Sequence, residues 1–382
     1  MRSSRPLGRC VRSTRSIGRA FACPIRTSDQ VLARRAACLT RPRRANRLAM
    51  EAAVIGAGSW GTALAIQLAR AGHAVTLWGR DEASAREMAE TRENKRYLPG
   101  VHLPAPLSPT ANLEEAVRAG RKLLVCAVPS HAVRETMTLA AAYMREDGVI
   151  ASATKGLEEG SGKRMSEVLD ECTPCKGRVA VIAGPSFAKE VAAEMPTIVT
   201  IASTSPQVAD FVQHAFVTPM FRVYALEDVV GAEIGGTVKN VIAIAAGVSD
   251  GLGLGHNTRA GIITRGLAEV NRLAMKMGAD PLTVTGLAGL GDLVLTCTGE
   301  LSRNRSLGLR LGRGEKLSEI LGSMKQVAEG VRNTLTVDDL ARTHQVDMPI
   351  TAQMRCLLFE DKTPRSAMVD LMTRQPKREF AR

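Results

Sequence analysis

The sequence predicts an α/β protein: a doubly wound sheet followed by an all-helical C-terminal domain. Three observations predict it. The apolar run Ala52-Ala53-Val54-Ile55 passes through Gly56-Ala57-Gly58-Ser59-Trp60-Gly61 straight into the amphipathic stretch Ala63-Leu64-Ala65-Ile66-Gln67-Leu68-Ala69. Short apolar runs then alternate with helical segments as far as about residue 228, which indicates strands laid parallel with helical crossovers. Beyond that point the β-branched runs stop and helical periodicity takes over.

Taken in order, Ala52–Ile55 reads as a buried parallel strand, and the glycines after it form the G-x-G-x-x-G fingerprint in its proper setting, strand before and helix after. Gly56 permits the tight turn, Gly58 lets backbone N–H groups approach a pyrophosphate, and Gly61 lets the helix pack close to the strand. The helix N-terminus then faces the phosphates. Ala74-Val75-Thr76-Leu77-Trp78 is the second strand. An acid at its end would bond the ribose 2′-OH of NADH, and an Arg would accommodate the 2′-phosphate of NADPH. Arg80 stands nearest and Asp81 follows, so NADPH is favoured and NADH stays open. Residues 97–109 carry four prolines and are expected to form a surface loop. Asn112 and Glu115 have the spacing of a capping box. Leu123–Ser130, Gly148–Thr154, Val179–Ala183, Thr197–Ile201 and Phe221–Tyr224 read as further strands, with a helix over Pro206–Phe216. Ligands collect at the carboxyl ends of such strands, which places Lys155 to meet an anion and Gly184-Pro185-Ser186 at another strand-to-helix turn.

In the helical part, Lys239 and Asn240 are the only strongly polar side chains in the small or apolar run from Gly235 to Ala246. Burying a Lys costs several kcal/mol unless it is paired or its pKa falls, and a Lys so lowered can trade a proton near neutrality. A Lys snorkelling from a helix end is the plainer alternative. Asp292 follows three glycines and can accept a hydroxyl hydrogen bond or orient the Lys. Arg303, in Leu301-Ser302-Arg303-Asn304-Arg305, can grip a phosphate with both arms of its guanidinium. Gln326–Gly330 is expected to begin another helix, and the polar tail from Lys362 carries no readable element.

The formal charge of +13 suggests nucleic acid or a membrane until it is located. Residues 1–50 hold thirteen Arg, no Lys and one acid, leaving 38 basic and 37 acidic residues in the remainder. The folded part is nearly neutral, and a nucleic-acid role loses its support. Segment 1–49 is expected to lie outside the fold. It has the acid-poor composition of an organellar transit peptide, or it is translated sequence ahead of a start at Met50, the reading we favour. No run of about 18 apolar residues marks a membrane span. Cys172 and Cys175 form a lone C-x-x-C with no second pair, so no metal site is expected.

Six stretches together carry a family resemblance: Gly56–Ala63, Ala153–Glu158, Gly184–Glu190, Val238–Ala243, Gly286–Thr298 and Leu301–Arg305. In this order they resemble the bacterial-type NAD(P)-dependent glycerol-3-phosphate dehydrogenases, from Ala52 to about residue 350. The resemblance implies a dinucleotide-binding Rossmann domain over 50–230 and a helical substrate and catalytic domain over 231–382, with the active site between them. It implies reversible reduction of dihydroxyacetone phosphate to sn-glycerol 3-phosphate for phospholipid synthesis, in the cytoplasm, with a plastid or mitochondrion as the alternative if the leader is a transit peptide. By motif, Ser59, Trp60, Arg80, Ala188, Val327 and Glu329 would contact the cofactor beside Gly56, Gly58 and Gly61. Lys155, Gly184, Ser186, Asp292, Ser302, Arg303 and Asn304 would hold the substrate, Lys155 and Arg303 also touching the cofactor. Lys239 would bind substrate and be the proton donor. A homodimer through the helical domain is a further expectation of the family. Ala328 departs from the pattern, where a bulkier residue is expected. A reductase for another 2-keto substrate would lack the combined Lys155, Lys239, Asp292, Arg303 and Asn304 set. A non-enzymatic dinucleotide sensor would have no need of a Lys in an apolar helix.

Overall fold

The computed structural model describes residues 49–324, 328–376 and 378–379, so the leader before Ala49 and Val327 lie outside the described residues. The described residues form one compact unit. Its sheet has eight strands in the order β3-β2-β1-β4-β5-β6-β7-β8. They are β1 Glu51–Ile55, β2 Ala74–Trp78, β3 Leu107–Thr110, β4 Leu123–Cys126, β5 Val149–Ser152, β6 Val179–Ala183, β7 Thr197–Ala202 and β8 Phe221–Leu226. The first six run parallel, β7 pairs antiparallel to β6, and β8 follows β7 in parallel.

Alternation along β1 shows how both faces are covered. Ala52 and Val54 point into one core and Ala53 and Ile55 into the other, as the period of two requires. Helices α1 (Ser59–Arg70) and, later in the chain, Pro206–Phe216 cover the first face through Leu64, Leu68 and Phe216. On the second face lie helices from Leu113–Ala119, Val133–Ala141 and Met165–Cys172, through Val117, Met137 and Leu169. In chain order the helices of this layer are α2 (Glu82–Thr91), α3 (Leu113–Ala119), α4 (Val133–Ala141), α5 (Met165–Cys172), α6 (Ala188–Ala192) and α7 (Pro206–Phe216).

Three local expectations need correction. Leu107–Thr110 is a strand, not loop, pairing Leu77 with Pro109 on β2. Proline is tolerated there because β3 is an edge strand. Only half of the capping box forms: the Asn112 side chain accepts from Glu115 N–H at 3.1 Å, but the Glu115 carboxylate accepts from Thr110 Oγ1 at 2.7 Å. The tail does hold an element, the helix Pro364–Met372, entered through Thr363, whose hydroxyl accepts from Ser366 N–H.

The second core is built around α8 (Val229–Gly251), buried along nearly its whole length with Val238, Val241, Ile242 and Ile244 at its centre. A helix apolar on every side belongs inside. Its length and mean hydropathy of 1.4 would suit a membrane span, yet 94% of that window is buried within the protein; the stretch Pro281–Thr298 has a mean hydropathy of 1.3 and is 39% buried. Around α8 pack α9 (Gly255–Lys276), α10 (Pro281–Thr285), a π-helical turn at Leu287–Gly291, α11 (Asp292–Thr298) and α12 (Arg303–Gly312). They are followed by α13 (Leu317–Ser323), α14 (Glu329–Thr343), α15 (Pro349–Phe359) and α16 (Pro364–Met372). Backbones of α8 and α12 nearly touch: a Cβ on Gly247 would stand 2.1 Å from the Arg305 carbonyl oxygen. That approach seats α12 along the C-terminal half of α8, and Asn304 at its start reaches Asn240 at the middle.

Candidate active site

Lys239 and Asp292 are 5% and 1% exposed, and each is tolerable only because of the other. The Lys239 ammonium donates to Asp292 Oδ1 and, at 2.9 Å, to Thr296 Oγ1. Lys155, on the turn after β5, donates to Asp292 Oδ2 at 2.6 Å. One carboxylate thus serves two ammoniums arriving from the sheet and from α8. The π-helical turn packs against α8 and delivers Asp292 to the first position of α11, where the helix dipole favours an anion. Thr296, one turn on, donates its own proton to the Asp292 carbonyl at 2.6 Å and so is left to accept from Lys239. Burial pushes the Lys239 pKa down from its ordinary 10.5, the Asp292 charge resists, and Lys155 pushes it down again. For Asp292 burial acts upward, but Lys155 and Lys239 together hold the carboxyl below its ordinary value.

The start of α12 lies beside this cluster. Ser302 caps it, its hydroxyl accepting from Arg305 N–H at 3.2 Å, and Arg303 is exposed at its first position. Asn304 is largely spent on the protein: its Nδ2 donates to Asn240 Oδ1 and its Oδ1 accepts from Gly330 N–H, both at 3.0 Å. Glu329, at the start of α14, has its pKa raised by burial while Arg303, Lys155 and Lys239 pull it down. Lys155, Lys239, Asp292, Arg303 and Glu329 therefore share one electrostatic neighbourhood. Gly184 follows β6 with φ +115, and Ser186 donates back to its carbonyl at 3.0 Å. Pro185 approaches Gly291, to 3.5 Å from the place a Cβ would take, which seats this turn against the π-helical segment. Ala188 begins α6 half-buried.

The glycine turn fits a dinucleotide. A Cβ on Gly61 would fall 1.9 Å from the Gly56 carbonyl oxygen, and one on Gly56, at φ +120, would strike the Ala127 carbonyl at 2.7 Å. Gly61 is required by the helix's contact with the turn, and Gly56 by its positive φ and by the backbone that follows β4. A Cβ on Gly58 meets no atom within 4 Å, so that position faces open space at the helix N-terminus. Trp60 Nε1 is buried without a hydrogen-bond partner, and buried donors ordinarily have one. Ser59 donates to the Tyr97 carbonyl at 2.6 Å. At the end of β2, Arg80 is exposed, and the Asp81 carboxylate accepts from Ser84 Oγ at 2.5 Å. Burial first, then Arg332 and Arg80, lower the pKa of His131 after β4, and Glu159 opposes them. Among the described residues no cluster of His, Cys, Asp or Glu could hold a metal.

Thr296 is the polar partner that sequence reasoning missed, and Asn240, singled out there for its polarity, was given no partner. Thr296 carried a signal, standing one helical turn after Asp292; Asn240 adjoins Lys239, but its partner Asn304 is 64 residues away.

The family profile of the NAD-dependent glycerol-3-phosphate dehydrogenase N-terminus matches residues 51–209, and that of the C-terminus residues 228–369. A glycerol-3-phosphate dehydrogenase [NAD(P)+] of Citrifermentans bemidjiense is 53% identical over 334 residues, 87% of this chain and 99% of that protein. One of Myxococcus xanthus is 51% identical over the same shares. The crystal structure of glycerol-3-phosphate dehydrogenase from Coxiella burnetii superposes with a TM-score of 0.82 at 43% identity, covering 85% of this chain and 99% of that one. The chain belongs to the NAD-dependent glycerol-3-phosphate dehydrogenase family.

Proposed function

We propose that the protein catalyses the reversible reduction of dihydroxyacetone phosphate to sn-glycerol 3-phosphate with NADPH or NADH, feeding glycerophospholipid synthesis. The observation that carries this is the Lys155–Asp292–Lys239 bridge. When bound, the nicotinamide supplies the hydride. Reduction leaves negative charge on the C2 oxygen of the substrate, and a positioned ammonium both stabilises that charge and donates the proton. Lys239 is that acid, and in the oxidative direction, neutral, it is the base. Asp292 and Thr296 aim it, and Lys155 keeps its proton labile. Arg303, with the first-turn amides of α12 capped by Ser302, holds the substrate phosphate. Asn304 locks α12 to α8 and α14 and turns its backbone N–H to the same anion. Gly184 and Ser186 form the opposite wall.

Gly56, Gly58, Ser59, Trp60 and Gly61 cradle the cofactor pyrophosphate, and Ala188 and Glu329 line its path. With Asp81 engaged by Ser84, Arg80 is the group at the end of β2 suited to a 2′-phosphate, which favours NADPH. Small-molecule substrates suffice for this chemistry, and no nucleic-acid partner is required. The bacterial relatives support a cytoplasmic enzyme, and a dimer through the helical region is part of the same proposal.

The test is loss of NADPH absorbance with dihydroxyacetone phosphate, parent beside Lys239→Ala. Turnover in the parent, lower by about 10²–10⁴ in the variant while NADPH still binds, is the expected result. NADPH binding with no turnover in the parent would remove the reductase reading and return the sensor.

A further inference from the structure

Lys155 and Gly184 stand at the carboxyl ends of β5 and β6; the opposite ends of the same strands carry a second concentration of charge. Lys122 immediately precedes β4, Arg178 immediately precedes β6, and Arg145 lies just ahead of β5. The ladder fixes their spacing, because Val149 N–H donates to the Lys122 carbonyl and Ile150 N–H to that of Arg178, both at 3.1 Å. Adjacent strands are about 4.8 Å apart, so these side chains enter one small region. Gly148 is where they meet: a Cβ there would stand 3.2 Å from the carbonyl oxygens of both Arg121 and Arg145. Half-buried Arg178 donates its Nε to the Gly148 carbonyl at 3.1 Å.

These four cations line a groove of about 630 Å³ whose apolar side includes Val208 and Phe211. Its one carboxylate, Asp147, is engaged by Arg145 at 2.7 Å. Arg121 and Lys122 form no ion pair among the described residues, and Arg178 shares Asp147 with Arg145, helping to hold its carboxyl below the ordinary value. In a fold whose charges otherwise nearly cancel after residue 50, this cluster, with Arg121 and Lys122 exposed, presents a local positive potential that attracts anions. The volume lies within the range of small-molecule sites, roughly 300–1,000 Å³. Guanidiniums grip phosphate oxygens in pairs, and the half-buried Phe211 ring offers a flat apolar wall.

We propose that this groove binds a nucleoside di- or triphosphate, its phosphates on Arg121, Lys122 and Arg178 and its base against Phe211. The site is separate from the cofactor turn and stands whether or not the proposed reaction is correct.

Calorimetric titration of the NADPH-saturated full chain with ATP, and separately with tripolyphosphate, tests it. One saturable ATP site is expected, weakening with salt and weakened at least about tenfold in Arg121→Ala/Lys122→Ala, whose kcat and KM stay at the parent values. Phe211→Ala, checked for folding by retained turnover, should weaken ATP more than tripolyphosphate. No saturable site, or ATP binding unchanged in the double variant, would overturn the proposal and assign any binding to the Arg-rich leader. Binding seen only without NADPH would assign it to the cofactor turn. Equal binding of ATP and tripolyphosphate, insensitive to Phe211→Ala, would overturn the nucleoside and leave a bare polyphosphate groove.

Discussion

At the scale of single residues, the site turns on how two neighbours bias one proton. Asp292 raises the affinity of Lys239 for its proton and Lys155 lowers it, against a background in which burial already favours the neutral amine. Reduction requires the protonated amine, so its kcat declines as pH rises through the depressed pKa, and oxidation rises over the same interval. Lys155→Met removes a like charge and should move that inflection to higher pH. Asp292→Asn removes the opposing charge and should move it to lower pH, with a large loss of rate because Lys239 is no longer aimed. Profiles of kcat against pH in both directions check this; equal shifts of the same sign would mean that Lys239 is not the titrating group. The sequence exposed Lys239 because a lone cation in an apolar helix requires a partner, and Asp292 because an acid after three glycines has few structural uses. Thr296 escaped because a threonine inside a helix carries no comparable cost, and the double commitment of Asn304 because its partners come from α8 and α14.

At the scale of elements, the glycine turn separates what the fold needs from what the ligand needs. Gly58→Ala adds a methyl in open space, so melting temperature should hold while the KM for NADPH rises about tenfold or more, as a Cβ crowds the pyrophosphate path. Gly61→Ala drives its methyl into the Gly56 carbonyl and should lower stability as well. Thermal melts beside cofactor titrations distinguish the two. A second element-scale device is the clip between α9 and α15. Buried Glu269 accepts from Ile350 N–H at 2.6 Å, and from Thr351 N–H at 3.1 Å and Thr351 Oγ1 at 3.0 Å. Burial pushes its pKa from 4.5 up to about 7, against those hydrogen bonds. Its folded pKa is raised, so the stability it contributes is full below about 4.5 and is lost as pH rises through about 7. Glu269→Gln should flatten that part of the Tm profile, by at least about 2 °C; an unchanged slope would remove Glu269 from the pH response. Elements with strong periodicity or strand-to-glycine boundaries were legible, β1, β2, α1 and α7 among them. The strand β3 was not, because four prolines outweigh an edge pairing that only tertiary context supplies. Nor was the reversal of β7, since an apolar run carries no sign of its direction, nor α16, whose one buried residue is Ala367.

At the scale of the whole folded unit, the sheet layer and the helices around α8 meet through a small apolar cluster, Val181, Ala183 and Ala202 against Val229, Ala232 and Ala288, flanked by charged contacts, and the chemistry sits on that seam. Lys155 reaches from β5 to Asp292 on one side. On the other, the Glu233 carboxylate near the start of α8 accepts from Ser166 N–H at 2.8 Å, from Ser166 Oγ at 2.6 Å and from Arg164 at 3.0 Å, all at the head of α5. Glu233 is 5% exposed, and burial pushes its pKa up against Arg164 and Ser166. It lies on the same helix as Lys239, fewer than two turns away, so this clasp helps set where α8 stands relative to Lys155. Glu233→Ala leaves the Ser166 N–H and hydroxyl without their acceptor, while Arg164 keeps Glu167 as its carboxylate partner, a loss of about 1–3 kcal/mol for buried donors left unsatisfied. Urea unfolding should show the midpoint falling, and kcat should fall with it as Lys155 and Lys239 lose their common alignment on Asp292. The pairing itself is isolated by a cycle: Arg164→Ala in the Glu233→Ala background should cost less than in the parent. Additive losses, or a fall in stability with kcat intact, would mean that the clasp secures the fold without tuning the seam, and that the Lys155–Asp292 bridge and the apolar cluster beside it align the two sides.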